Sequence, residues 1–372
     1  MTAKPVRIAI VGTGNIARSH AKDIPSQAGA AAPGAPATIV AAMDVDRSQL
    51  GTFCAEFEIP GGYGDLATLL SQARPDLVHI CTPPSTHHPI ALECLRGGAS
   101  VLIEKPPVIS LREFDELAAA EQGPPWFATV FQHRFGAGQR RLKKLTASGA
   151  LGRPLLAICN TTWFRDQAYF DVPWRGRWDT EGGGPTMGHG IHQMDMMLDV
   201  LGDWTEVSAV ARTQARSMPT EDLSLAHVTF KNGAVASVVN SVLSPREESY
   251  LRFDFERATV EVTHLYGYDD GDWRVTPAPG CEHDVAAAWK HAADDDDGDG
   301  AARSSHAAQF ARVLAALRDG QPPPVTPSEA RRTMALIAGI YASAFTRRPV
   351  TPADLAPPAA YYTAMNGGRE AW

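Results

Sequence analysis

The chain opens with a mostly apolar run, Val6-Arg7-Ile8-Ala9-Ile10-Val11, that leads directly into Gly12-Thr13-Gly14-Asn15-Ile16-Ala17. A Val/Ile-rich run of this length suits a strand buried on both faces. The G-x-G-x-x-A that follows suits the strand-to-helix turn: Gly12 for the tight bend, Gly14 for close approach of a ligand, Ala17 for helix-on-strand packing. A helix starting there offers unpaired N–H groups to an anion. The pattern therefore predicts a dinucleotide pyrophosphate over Gly12, Thr13, Gly14, Asn15 and Ile16. The second predicted strand, 38–43, ends at Asp44, where a carboxylate binds the adenosine ribose and repels a 2′-phosphate. That favours NAD, while Arg47 leaves NADP open, and capping of the next helix is the competing role for Asp44. Residues 28–37 are rich in Ala, Gly and Pro and predict a surface loop, which accounts for the long spacing from Gly14 to Asp44.

The same strand–helix alternation continues. Predicted helices span 15–24, 47–57, 66–72, 88–95 and 111–121, with strands at 77–81, 100–103 and 126–131. Repeated βα units imply a parallel, doubly wound sheet. After about residue 130 the rhythm changes. A helix over 139–148 precedes strand-like stretches at 154–164, 206–212, 223–230, 235–243, 251–255 and 259–265, with Asn232-Gly233 marking a hairpin. Residues 293–300 hold an acidic run and predict a solvated loop, and helices over 305–318 and 327–345 close the series. The fold class read from this is α/β: an N-terminal Rossmann dinucleotide-binding domain, 1–130, and a C-terminal α+β domain, 131–372, with a large, mostly antiparallel open sheet and helices on one face.

Length and composition agree. The 372 residues suit two domains, and 44% hydrophobic with 20% charged residues is ordinary for a globular chain. A net charge of −8 argues against nucleic acid or an anionic membrane as partner. No apolar run is long enough to span a bilayer, and no signal peptide precedes the first strand. Cysteines 54, 81, 94, 159 and 281 are odd in number and widely spaced. They predict neither a disulfide framework nor a metal site, and point to a cytoplasmic protein with reduced thiols.

Two clusters carry candidate chemistry. Glu104-Lys105-Pro106-Pro107 follows the strand 100–103, at the strand end where ligands bind in such sheets. A lysine there could exchange the proton of a reacting hydroxyl; a solvated surface lysine is the bland reading. The second cluster runs from Glu181-Gly182-Gly183-Gly184 through His189 and His192 to Asp195. The glycines admit a backbone or ligand, and His192 and Asp195 share a helical face, so that Asp195 could orient a His192 bonded to the hydroxyl. A buried histidine, with Asp195 bonded elsewhere, is the alternative.

With Thr82-Pro83-Pro84-Ser85-Thr86-His87 added, and the C-terminal stretches 317–325 and 340–350, the order and spacing of these pieces resemble the Gfo/Idh/MocA oxidoreductases, the family of glucose–fructose oxidoreductase and inositol dehydrogenase. The resemblance implies hydride transfer between NAD(P) and a secondary hydroxyl of a sugar, cyclitol or sugar derivative. It implies Lys105 as the proton-transfer residue and His192 as a catalytic substrate contact. It places Thr82, Pro83, His87, Glu104 and Gln132 on the cofactor, and makes a homodimer or homotetramer the expected assembly. Many active members carry an aspartate four residues before the histidine; here that position is Gly188, with His189 beside it as a substitute. Arg134, Trp163, Arg175, Trp178 and His189 complete the expected substrate contacts, in a stretch also holding Arg165, Tyr169, Trp174 and Arg177, since aromatic faces and guanidinium forks suit sugar rings and their substituents. Two further readings are a redox-assisted lyase or glycosidase and a non-catalytic dinucleotide-binding regulator.

Overall fold

The computed structural model describes residues 4–24, 37–121, 123–294 and 303–370. Most of the predicted loops 28–37 and 293–300 falls outside the described residues. Six strands form a first sheet: β1 (Val6–Val11), β2 (Ala37–Met43), β3 (Gly61–Tyr63), β4 (Leu77–Ile80), β5 (Ser100–Ile103) and β6 (Phe127–Thr129). Their order is β3-β2-β1-β4-β5-β6 and every pairing is parallel. Order reverses between β1 and β4, the switch point at which doubly wound sheets bind ligands beyond the strand ends. Ile8, Ile10, Val78, Ile80, Val101 and Ile103 are fully buried, as a parallel sheet covered on both faces requires. β3 was not anticipated: Gly61-Gly62-Tyr63 is too short and glycine-rich to show a strand pattern.

Seven strands form a second sheet: β7 (Pro154–Phe164), β8 (Trp204–Arg212), β9 (Leu223–Phe230), β10 (Val235–Ser241), β11 (Leu243–Phe255), β12 (Ala258–His264) and β13 (Trp273–Pro277). The order is β13-β12-β11-β7-β10-β9-β8, antiparallel except for the β7–β10 pair. The turn between β9 and β10 carries Gly233 at φ +89°, as the Asn-Gly pair predicts. Helices Pro185–Gly188 and Ile191–Leu201 cover one face, against β7, β9, β10 and β11. The register pairs Leu156 with Val235 and Leu225 with Val210, and all four are exposed. β13 and the helix Glu282–Asp294 were missed; Arg274 and Thr276 on that edge strand are exposed, so it carries little apolar signal.

The chain divides into two compact units, and the division is not one cut at residue 130. The first unit takes residues 1–108 and 112–130 and also His306–Ser328; the second takes 109–111, 131–305 and 329–372. The returning helix His306–Arg318 packs on Asn15–Asp23, and its Phe310, Val313 and Leu314 join Val6, Ile8, Ile10 and Leu77 in one apolar core. A sequence pattern shows that this helix has a buried face but not which sheet it serves. That is why 131–372 was read as one domain.

Candidate active site

In the first unit, Gly12 sits at φ +87°, and a Cβ there would meet the Cys81 carbonyl carbon at 2.8 Å. Only glycine fits, and the chain can therefore turn tightly after β1. Gly14 caps the helix Asn15–Asp23 without a side-chain hydrogen bond, and a Cβ there would meet nothing within 4 Å. Open space in front of an uncapped helix start is what a pyrophosphate needs, so these residues fit a dinucleotide. Thr13 faces Asp44: its N–H and its hydroxyl both donate to Asp44 Oδ2 at 2.8 Å. Asp44 does not cap the next helix. Asp46 does, accepting from the Ser48 and Gln49 N–H groups. Partial burial pushes the Asp44 carboxyl up, but the N–H groups of Asp46 and Thr13, the Thr13 hydroxyl and Gln49 outweigh it and leave its pKa below the ordinary value. It is a charged carboxylate beside the glycine turn.

Glu104 and Lys105 follow β5, two strands from β1. Glu104 is buried and committed internally rather than turned toward a cofactor: Oε1 accepts from His20 Nε2 at 2.8 Å and Oε2 from the Lys105 N–H at 3.1 Å. Burial works against its charge, yet the bonds from His20 and His306 hold its pKa well below the carboxylate range. His87 is likewise buried and committed, with Nε2 2.8 Å from the Thr82 carbonyl and Nδ1 2.9 Å from that of Pro106. Both ring nitrogens meet main chain, so His87 shapes the Thr82 turn instead of presenting a free nitrogen to a cofactor. Thr82 bonds the Thr86 hydroxyl, and Pro83 precedes the short helix Pro84–Thr86. No metal ligands were expected, yet one donor atom from each of His20, Glu104 and His306 lies within 4.8 Å of the others.

In the second unit, Gln132 is half-buried at the start of Gln132–Phe135, and its Oε1 has no hydrogen-bond donor among the described residues. Arg134 is not placed to bind substrate. Its Nε and Nη2 each donate to Asp195 at 2.6 Å, and Nη1 reaches Asp199 and Glu329. Burial works against the guanidinium charge, and those three carboxylates outweigh it. Asp195 also accepts from Thr333 at 2.9 Å, so it locks helices together through Arg134 rather than orienting His192. The His192 ring lies edge-on to His133, 4.9 Å between centroids, near Phe131.

The glycine segment is crowded by the protein's own groups. A Cβ on Gly184 would lie 1.9 Å from the Glu221 carbonyl oxygen. Glu221, which lies in no recognisable motif, accepts from the Gly184 and Thr186 N–H groups and from the Tyr341 hydroxyl. Burial still pushes its pKa up, to about 6. Gly188 has a different neighbour: among the described residues, a Cβ there would meet the Glu181 carboxylate, with Oε1 at 3.2 Å. Glu181 is buried and accepts from the Gly176 N–H at 2.6 Å. A carboxylate from elsewhere thus borders the space that a side chain at 188 would take.

His189 belongs to an aromatic–arginine group. It lies 5.2 Å from Trp163 and 5.7 Å from Tyr169, whose hydroxyl is 3.4 Å from His189 Nε2. The Arg175 guanidinium stacks 4.0 Å over Tyr169 and 4.3 Å over Trp174, and Arg165 lies 5.1 Å over Trp163. Trp178 is not in this group: its Nε1 donates to the Pro219 carbonyl and its ring meets Tyr341.

Comparison with known proteins agrees with this architecture. Residues 6–125 match the oxidoreductase family with NAD-binding Rossmann fold, and residues 139–264 match the Gfo/Idh/MocA C-terminal domain. D-glucoside 3-dehydrogenase of Escherichia coli (strain K12) is 26% identical over 73% of this chain and 82% of that protein. D-apiose dehydrogenase of Paraburkholderia graminis is 24% identical over 99% of this chain and 95% of its own length. Among solved structures, the WlbA dehydrogenase from Bordetella pertussis, in complex with NADH and UDP-GlcNAcA, is 25% identical with a TM-score of 0.79, covering 94% of this chain and 99% of that one. With both halves matched and an NAD-binding turn formed at the switch point, the chain belongs to the Gfo/Idh/MocA family of oxidoreductases.

Proposed function

We propose that the protein is an NAD-dependent dehydrogenase that oxidises a secondary hydroxyl of a sugar, cyclitol or sugar derivative, with Lys105 as the proton-transfer residue. One observation carries this reading: the glycine turn and Lys105 stand at the carboxyl ends of strands in one parallel sheet, the side on which such sheets bind ligands. NAD, when bound, supplies the hydride acceptor. Gly12 and Gly14 let its pyrophosphate reach the helix start, and Asp44 receives the adenosine ribose, which favours NAD over NADP. The neutral Lys105 amine takes the hydroxyl proton as the carbinol hydrogen leaves as hydride, so the alcohol loses two electrons and two hydrogens. His192 contacts the substrate, and Glu181, bordering Gly188, supplies a carboxylate near the place where many relatives carry an aspartate. Trp163, Arg175 and His189 form the surface offered to the ring. Relatives that act on D-glucoside, D-apiose and inositol support the substrate class.

The exposed apolar pairs Leu156–Val235 and Leu225–Val210 support a homo-oligomer joined through the open face of the second sheet. The free cysteines support a cytoplasmic protein; among the described residues no helix is long and apolar enough to cross a membrane.

The test is a panel of sugars and cyclitols with NAD. NADH should accumulate in step with product, and Lys105→Met should lower turnover by about 10²–10⁴-fold while NAD still binds. Full turnover by Lys105→Met defeats the assignment, and product without net NADH turns it toward redox-assisted elimination.

A further inference from the structure

Lys105 lies between two buried imidazoles that no hydride-transfer step requires. On one side its N–H donates to Glu104 Oε2, and the other carboxylate oxygen accepts from His20 Nε2. His20 is fully buried on the helix Asn15–Asp23, which begins at the dinucleotide turn. Burial lowers the His20 pKa, more than its bond to Glu104 raises it. The ring is therefore neutral near pH 7, and its one proton sits on Nε2, facing the carboxylate. Nδ1 must then accept, and His79 Nδ1, 3.0 Å away on β4, donates to it. Phe310 seals this chain, its ring 4.8 Å from both His20 and His79. On the other side of Lys105, the Pro106 carbonyl meets His87 Nδ1, and the far nitrogen of that ring meets the Thr82 carbonyl. A neutral imidazole can donate to only one of the two carbonyls and the imidazolium to both; either way the ring spans the two turns.

We propose that His87 and the His20–Glu104 pair are positioning residues that clamp the main chain of Lys105 from both sides and thereby aim its amine. The inference rests on the reading of Lys105 as the proton-transfer residue. The Lys105 N–H belongs to the peptide plane before that residue and the Pro106 carbonyl to the Pro106–Pro107 plane, so the two held groups bracket the Lys105-Pro106 step. Peptide planes are rigid and the Pro106 ring locks its own φ, so holding both groups restrains the direction in which the Lys105 side chain leaves the backbone. The clamp also ties that direction to the helix that receives the pyrophosphate and to the turn that holds Thr82. Misplacement by about 1 Å is enough to slow a positioned proton transfer strongly. An apolar trio would fill the same volume without buried polar atoms to satisfy; the polar one gives direction.

The experiment compares His20→Leu, His20→Gln, His87→Leu and His87→Gln in the full chain, with elemental analysis of the parent protein. Glutamine keeps an N–H donor and leucine does not. Each leucine variant should lower kcat about 10–100-fold while the NAD dissociation constant stays within about threefold, and each glutamine variant should recover a large part of that loss. A second readout needs no substrate. Reductive ¹³C-methylation should give one narrow Lys105 resonance, assigned by its absence in Lys105→Met, that broadens or splits in both leucine variants. Leucine variants with kcat within twofold of the parent and an unchanged resonance overturn the clamp. So does a loss that glutamine does not relieve, since that is packing alone. A stoichiometric metal, removed by chelator with loss of activity, would make His20, Glu104 and His306 ligands and overturn it as well. Loss of activity in Lys105→Met with normal histidine variants defeats only the clamp, whereas full activity in Lys105→Met defeats the reading beneath it.

Discussion

Glu104 in the first unit and Glu221 in the second are both buried carboxylates that hold a turn of main chain, and their pKa values move in opposite directions. Glu104 has imidazole partners and stays ionised well below the usual carboxylate range. Glu221 is held by two N–H groups and a phenol, and burial lifts it to about 6. Asp195 stands apart from both, bound by two bonds of 2.6 Å to a guanidinium. At Glu104 the bonds from His20 and His306 outweigh burial, whereas at Glu221 those from Thr186 and Tyr341 do not. The imidazole-held anchor therefore keeps a low pKa and the amide-held Glu221 titrates within reach of neutral pH, while at Asp195 burial outweighs even the guanidinium and raises the carboxyl.

The largest effect that could break this comparison lies at Arg134. Arg134→Met leaves Asp195 and Asp199 buried without their main cation, and it should destabilise the fold by about 3–5 kcal/mol in denaturant melts. A loss below about 1 kcal/mol would mean that neutral groups suffice there after all.

The Rossmann half was legible because its signals are local. Gly12, Gly14 and Ala17 stand within one turn, and the alternation of strands and helices gives the sheet. The partners of Glu104 were not legible, since His20 is 84 residues away and no spacing rule joins them. Arg134 and Asp195, 61 residues apart, looked like two independent site residues because an ion pair leaves no periodicity. Glu221 and the neighbour of Gly188 were invisible for the same reason: each is set by which loop passes a glycine, a property of the packed chain.

At Gly188 the comparison can be sharpened by moving a carboxylate. Glu181→Ala should lower turnover about 100-fold, and adding Gly188→Asp to that variant should recover at least about tenfold. No recovery would show that Glu181 only holds the Gly176 turn.

The Glu221 anchor predicts a pH effect on stability. Its folded-state pKa, about 6, lies above the ordinary 4.5, so folding favours the protonated form. The stabilisation is fully present below pH 4.5 and is lost as pH rises through 6. The difference is about 2 kcal/mol. In Glu221→Gln the stability change between pH 4 and 7 should be smaller than in the parent by that amount; identical profiles would count against a raised pKa.

The smallest expected effect is at Asp44, a charged carboxylate held by neutral donors but half open to solvent. Asp44→Ala should raise the KM for NAD about tenfold and narrow the preference over NADP. An unchanged preference would remove Asp44 from cofactor selection.

The return of His306–Ser328 to the first unit bears on how the protein is made. As the chain leaves the ribosome, the opening sheet emerges early, but Phe310, Val313 and Leu314 that cover part of its apolar surface emerge only after the whole second sheet. The nascent amino-terminal half must wait with that surface uncovered, open to chaperones, until nearly the last helix is synthesised. A nonsense mutation just before His306 would thus injure the end of the molecule that is translated first.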